Sequence, residues 1–110
     1  MSGSDLFTGT LDILILRTLD GGALHGYSIG RAIRDASEGV LSVEEGSLYP
    51  ALHRLEGRGL LEAEWGKTDT GRRAKFYGVT AAGVEHVGRE SARWAAYSGA
   101  VAAILGSTSR

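Results

Sequence analysis

Gly46-Ser47-Leu48-Tyr49-Pro50-Ala51-Leu52-His53-Arg54-Leu55-Glu56-Gly57-Arg58 is the stretch on which the reading of this chain turns. Leu48, Leu52 and Leu55 stand at i, i+4 and i+7, the spacing of one helical face, so they form a core stripe. Tyr49, His53 and Glu56 share a different face, with Arg54 beside it. Ser47 serves as the cap in this reading, because its hydroxyl can accept a first-turn N–H. Pro50 then stands in the first turn, where its missing N–H costs no hydrogen bond. Gly57 and Gly59 end the helix.

After this helix the period changes from 3.6 to 2. Leu61-Glu62-Ala63-Glu64-Trp65 alternates, and Ala74-Lys75-Phe76-Tyr77-Gly78-Val79 has the composition of a partner strand. Between them Gly66 to Arg73 reads as a polar, glycine-bounded, flexible hairpin loop. Before the quoted helix, Gly26 to Ser37 predicts another, with Tyr27, Ile29, Ile33 and Ala36 on its apolar side. Gly39 ends it, and Val40 to Val43 is a short extended piece. Further back, Thr8 or Thr10 caps a first helix to about Leu19, apolar at Leu11, Leu14, Ile15 and Leu19 and broadened by Ile13 and Leu16. A helix apolar almost all round needs cover on two sides, which hints at a second subunit. At the other end Thr80 caps a long helix from Ala81 to Leu105.

The order helix, helix, helix, strand, strand, helix predicts a mainly α (α+β) fold: a winged helix-turn-helix with a long C-terminal dimerisation helix. The expected divisions are a flexible tail over residues 1–7, the winged unit over 8–80, the dimerisation helix over 81–105 and a flexible tail over 106–110.

In a helix-turn-helix the second helix enters the major groove and its N-terminal residues reach base edges. Here that helix offers Ser47, Tyr49, Pro50, His53 and Arg54. The hairpin adds Lys67, Arg72, Arg73 and Lys75 against one acid, Asp69. From Gly66 to Tyr77 the local charge is therefore +3, four cations less one anion, on a chain of net charge -1. A basic wing beside a polar recognition face suits contact with phosphates and the minor groove. Tyr27 reads equally as a phosphate contact at a helix N-terminus or as a core tyrosine.

Other chemistries find little support. The chain has 110 residues, 43% of them hydrophobic, and no cysteine, so disulfides, thiolate metal sites and a cysteine nucleophile are excluded. His25, His53 and His86 are far apart, and His86 with Glu90 is a lone pair on one helix. Ser47 and His53 are six residues apart and do not stack as nucleophile and base. No phosphate-binding glycine loop is present. The reading is no enzyme, no catalytic residue, no cofactor and no metal. No stretch is long enough to span a membrane, and a cytoplasmic protein is expected. The rival is a winged helix that binds a protein instead of DNA, since fold does not dictate function.

Five ordered blocks carry a family resemblance: Gly9 to Leu16, Leu24 to Ile29, Val43 to Glu56, Gly71 to Tyr77 and Val79 to Gly83. Together they resemble the PadR family of transcriptional regulators over about Thr8 to Glu90, in its smaller subfamily with one long terminal helix. The resemblance implies a homodimeric repressor acting on double-stranded DNA at an inverted repeat. It places Tyr49 and the wing cations at the DNA. It also implies a small hydrophobic or aromatic effector, for which Trp94 is the candidate; plain packing is the alternative role of that tryptophan. The expected dimerisation residues are Leu11, Ile15, Val84, Val87, Trp94, Val101 and Leu105, with the last helix packed on the first helix of a partner subunit instead of closing as a lid on its own.

Overall fold

The computed structural model describes the backbone of residues 3–107 and the side chains of residues 9–106. In chain order the elements are α1 (Gly3–Thr18), a 3-10 turn (Leu19–Gly21), β1 (Leu24–His25), α2 (Gly26–Ala36), α3 (Glu45–Gly57), β2 (Leu61–Lys67), β3 (Arg73–Val79) and α4 (Ala81–Ser107). The three strands form one antiparallel sheet in the order β1-β3-β2. This is the winged helix-turn-helix that the sequence predicts, with the long terminal helix in place.

One core holds it together. Ile15, Leu16 and Leu19 meet Ile29 and Ile33 of α2, Leu48, Ala51, Leu52 and Leu55 of α3, Leu61 and Tyr77 of the sheet, and Val87 of α4. The leucine stripe of α3 is the centre of this cluster, as its spacing requires. On α2 the buried face is narrower than expected. Ile29 and Ile33 are buried, whereas Ala36 is exposed and Tyr27 stands 61% exposed. Tyr27 is therefore not a core tyrosine.

Several boundaries differ from expectation. The first helix begins at Gly3, so neither Thr8 nor Thr10 caps it and the expected tail over residues 1–7 is helical backbone from residue 3. Once buried Ile15 and Leu16 anchor the helix, each added residue needs only propagation, which is inexpensive. At the other end α4 runs two residues past Leu105. Residues 1, 2 and 108–110 of the two expected tails lie outside the described residues.

Ser47 does not cap α3. The N-cap is Glu44, whose carbonyl accepts from Ser47 N–H at 3.0 Å and Leu48 N–H at 2.9 Å. The acidic Glu45 then occupies the first turn, where it complements the helix dipole. Pro50 consequently lies beyond the first turn, and the carbonyl of Gly46 loses its usual donor. The far end closes in a Schellman motif: Leu60 N–H donates to Leu55 O at 3.0 Å and Gly59, at φ +76°, adopts the left-handed turn.

The strand β1 was not anticipated. Two residues carry no periodicity, yet Leu24 and His25 pair with Tyr77 and Phe76 and tie the start of α2 to the wing. His25 also caps α2: its Nδ1 accepts from Ser28 N–H at 3.4 Å.

The apolar breadth of α1 is answered within the chain, because α2, α3 and α4 all pack against it. Ile15 and Val87, expected at a dimer interface, are instead buried in this core at 0% and 2% exposure. The beginning of α4 lies on α1 of the same chain, where Arg17 donates to Ser91 Oγ at 3.4 Å. Thr80 caps α4 as expected, its Oγ1 accepting from Gly83 N–H at 3.0 Å and donating to Gly59 O at 2.7 Å.

Candidate nucleic-acid interface

The first turns of α2 and α3 face the wing across an open groove of about 860 Å³. Tyr27, Tyr49, Arg72, Arg73 and Lys75 line it, so five of the expected contact residues converge from three elements. Tyr49 owes its place to Gly26. A Cβ on Gly26 would lie 2.6 Å from Tyr49 Cε1, so the ring rests on the bare backbone at the start of α2. Partial burial, with the Glu45 carboxylate and Tyr77 nearby, raises the pKa of the Tyr49 hydroxyl above its ordinary 10.0. At neutral pH it is therefore a hydrogen-bond donor. Tyr27 stacks beside His25 with ring centroids 6.5 Å apart and points outward.

The wing is more ordered than a loose loop. Its strands reach Lys67 and restart at Arg73, leaving a five-residue turn over 68–72. Thr68 N–H donates to Arg72 O and Gly71 N–H to Thr68 O, each at 2.8 Å. Arg72 N–H donates to Thr68 Oγ1 at 3.2 Å. Arg73 lies over the Trp65 ring, 4.3 Å from its centroid, which holds the guanidinium at the wing edge. Lys67 and Arg72 are exposed.

Two expected contacts are otherwise engaged. Arg54 turns back to α1, where its Nη2 donates to Asp12 Oδ1 at 2.5 Å, and Asp12 is 6% exposed. A buried carboxylate demands a cation, and Arg54 is the near one, with Arg58 at 3.9 Å. Arg54 is thus a tie between α1 and α3. Lys75 donates to Glu56 at 3.2 Å and so joins the wing to α3. That hydrogen bond, reinforced by Tyr77, raises the Lys75 pKa above 10.5. Ser47, Pro50 and His53 remain exposed on α3 but do not line the groove.

Among the groove residues missed by sequence reading are His25, Ser28, Arg31 and Glu45. A signal existed for one of them. Tyr27, Arg31 and Arg34 recur at i, i+4 and i+7, a polar stripe opposite Ile29 and Ile33. A smaller cleft of about 190 Å³ continues along it, past Arg34 and Ser42.

The remaining expected positions lie on the outer helices. Leu11 is half-buried against the core. Val84, Trp94, Val101 and Leu105 are 48%, 38%, 37% and 67% exposed. Trp94 packs on Tyr97 with centroids 5.9 Å apart. Among the described residues no helix is long and apolar enough to cross a membrane, and no three metal-ligating side chains gather.

A recognition helix laid beside a basic wing defines the class: a winged-helix DNA-binding regulator of transcription. Comparison with known proteins narrows this. Residues 15–89 match the PadR-like family of transcriptional regulators, and the chain belongs to that family. A transcriptional regulator from Clostridium thermocellum is 28% identical and superposes with a TM-score of 0.78, over 92% of this chain and 95% of that one. A PadR-like transcription factor from Bacteroides fragilis is 31% identical, with a TM-score of 0.74 over the same shares. An uncharacterized protein of Lysinibacillus sphaericus is 30% identical over 95 residues, covering 86% of this chain and 87% of the relative.

Proposed function

We propose that this protein is a homodimeric repressor that binds an inverted-repeat operator and is released by a small planar hydrophobic effector. The observation that carries the DNA reading is the groove in which Tyr27, Tyr49, Arg72 and Arg73 converge beside the exposed N-terminal face of α3. Tyrosine hydroxyls and guanidinium groups suit phosphate oxygens, and the α3 face is left for base edges. Residues 8–80 act as the reading unit and 81–105 as the pairing arm. Lys67 extends the contact along the wing, and Ser47, Pro50 and His53 face the groove of the DNA. No catalytic residue, cofactor or metal enters this reading.

The dimer reading is supported by the second half of α4, where Trp94, Tyr97 and Val101 are large, apolar and at least a third exposed. Such a stripe on a projecting helix favours burial against a second copy. Two recognition helices would then stand roughly 34 Å apart, one turn of DNA. An effector stacked on Trp94 would lower DNA affinity only by its preference for a dimer with misplaced helices.

Fluorescence anisotropy with the DNA upstream of the protein's own gene, against a shuffled duplex and over a salt series, tests the proposal. Selective binding that weakens steeply with salt is the expected result. Equal, weak binding to both duplexes would favour the protein-binding winged helix.

A further inference from the structure

Glu45 is an anion in a cationic groove. It occupies the first turn of α3, is exposed, and lines the same groove as Arg31, Arg72 and Arg73. Yet among the described residues none of these arginines forms an ion pair with it. It also lines the smaller cleft beside Tyr27 and Arg34. Four residues on, Tyr49 lies on the same helical face. The helix dipole accounts for an acid in this turn but not for its place in the groove, where a carboxylate opposes the approach of phosphates.

Its chemistry suits a different task. A carboxylate only accepts hydrogen bonds. In the major groove the donors are the amino groups of cytosine and adenine. Adenine places its N7 acceptor next to that amine and repels a carboxylate, whereas cytosine offers its amine without an acceptor beside it on the same base. The N-terminal residues of a recognition helix are the ones that reach base edges. Resting on the DNA-binding reading above, we infer that Glu45 is a specificity-determining residue that selects a cytosine at one position of each half-site and disfavours all other sequences.

Glu44 supplies a matched control. It is the neighbouring carboxylate, also exposed at the same helix end, but it lines neither the groove nor the cleft. Glu44→Gln changes the overall charge and the helix-end electrostatics as Glu45→Gln does.

The experiment is selection from a pool of duplexes with about 20 randomised base pairs, using the full chain and its Glu45→Gln, Glu45→Ala and Glu44→Gln variants. The unaltered protein should enrich a motif with a required cytosine in each half. Glu45→Gln should move that one position to adenine, because a glutamine amide both donates to N7 and accepts from N6. Glu45→Ala should level it, with discrimination there falling about tenfold. Glu44→Gln should keep every preference. Retention of the cytosine by both Glu45 variants, or loss of it in Glu44→Gln, overturns the inference while leaving the regulator reading intact. A motif in the unaltered protein with no required cytosine does the same. A pool from which the unaltered protein enriches nothing overturns both.

Discussion

A side chain added at Gly26 and one added at Gly83 meet very different obstacles. At Gly26 the obstacle is the far end of Tyr49, which can swing aside. Gly26→Ala should therefore melt close to the unaltered protein while losing DNA affinity, about tenfold if the hydroxyl makes a charge-assisted contact to phosphate. Anisotropy titration beside thermal melting separates the two effects. At Gly83 a Cβ would lie within van der Waals overlap of the Leu60 carbonyl, which is backbone and cannot yield. Gly83→Ala should cost about 3 kcal/mol, at the upper end of overpacking, measured by urea unfolding. Arg54 is the third case. Removing it strands the buried Asp12, so Arg54→Ala should destabilise by about 1–3 kcal/mol. Adding Asp12→Asn should recover part of that in a double-mutant cycle. A purely DNA-contacting arginine would give no such recovery.

The wing is fastened to α3 by one lysine, and this fastening has a pH signature. The Lys75 pKa is raised in the folded chain by the bond to Glu56. A raised folded value means the stabilisation is fully present below the unfolded value of 10.5 and is lost as pH rises through the folded one. Unfolding followed between about pH 9 and pH 12 should show this alkaline loss, and Lys75→Met should flatten it. The Tyr49 pKa is raised too, so it adds loss of the same sign. Tyr49→Phe is the companion variant that separates the contributions. At the level of elements most of the fold was legible: the leucine spacing of α3, the two alternating strands and the glycine stops all mark what formed. The two-residue β1 was not, because a strand that short leaves no period to read, and its existence depends on β3 arriving beside it.

For the whole molecule the proposed dimer rests on the arm of α4. Twenty-seven residues make a helix roughly 40 Å long, and the chain measures 56 Å along its longest axis. Among the described residues, Val87 and Ser91 near its beginning join that helix to the core and to α1. Light scattering at micromolar concentration should give the mass of two chains, and Val101→Glu should reduce it to one while far-ultraviolet circular dichroism keeps its helical signal. A Val101→Glu protein that remains dimeric would move the interface elsewhere. The candidate site was legible in part at this scale. Tyr49, Arg72 and Arg73 could be named from a polar helix face and a basic hairpin, and Arg31 left a polar stripe to read, but Glu45 entered only when α2 and α3 met.

Local pattern was enough to determine the helices, the hairpin, the leucine core of α3 and the excess positive charge of the wing. Each of these depends on neighbours three, four or two residues away, and the chain displays such neighbours directly. Tertiary structure alone decided which charged side chains stay available. Arg54 meets Asp12 across 42 positions of chain and Lys75 meets Glu56 across 19, and no periodicity encodes such meetings. It also assigned Ile15 and Val87 to the core and Tyr27 to the surface, because an apolar or aromatic residue on a helix is buried or exposed according to what packs against that face.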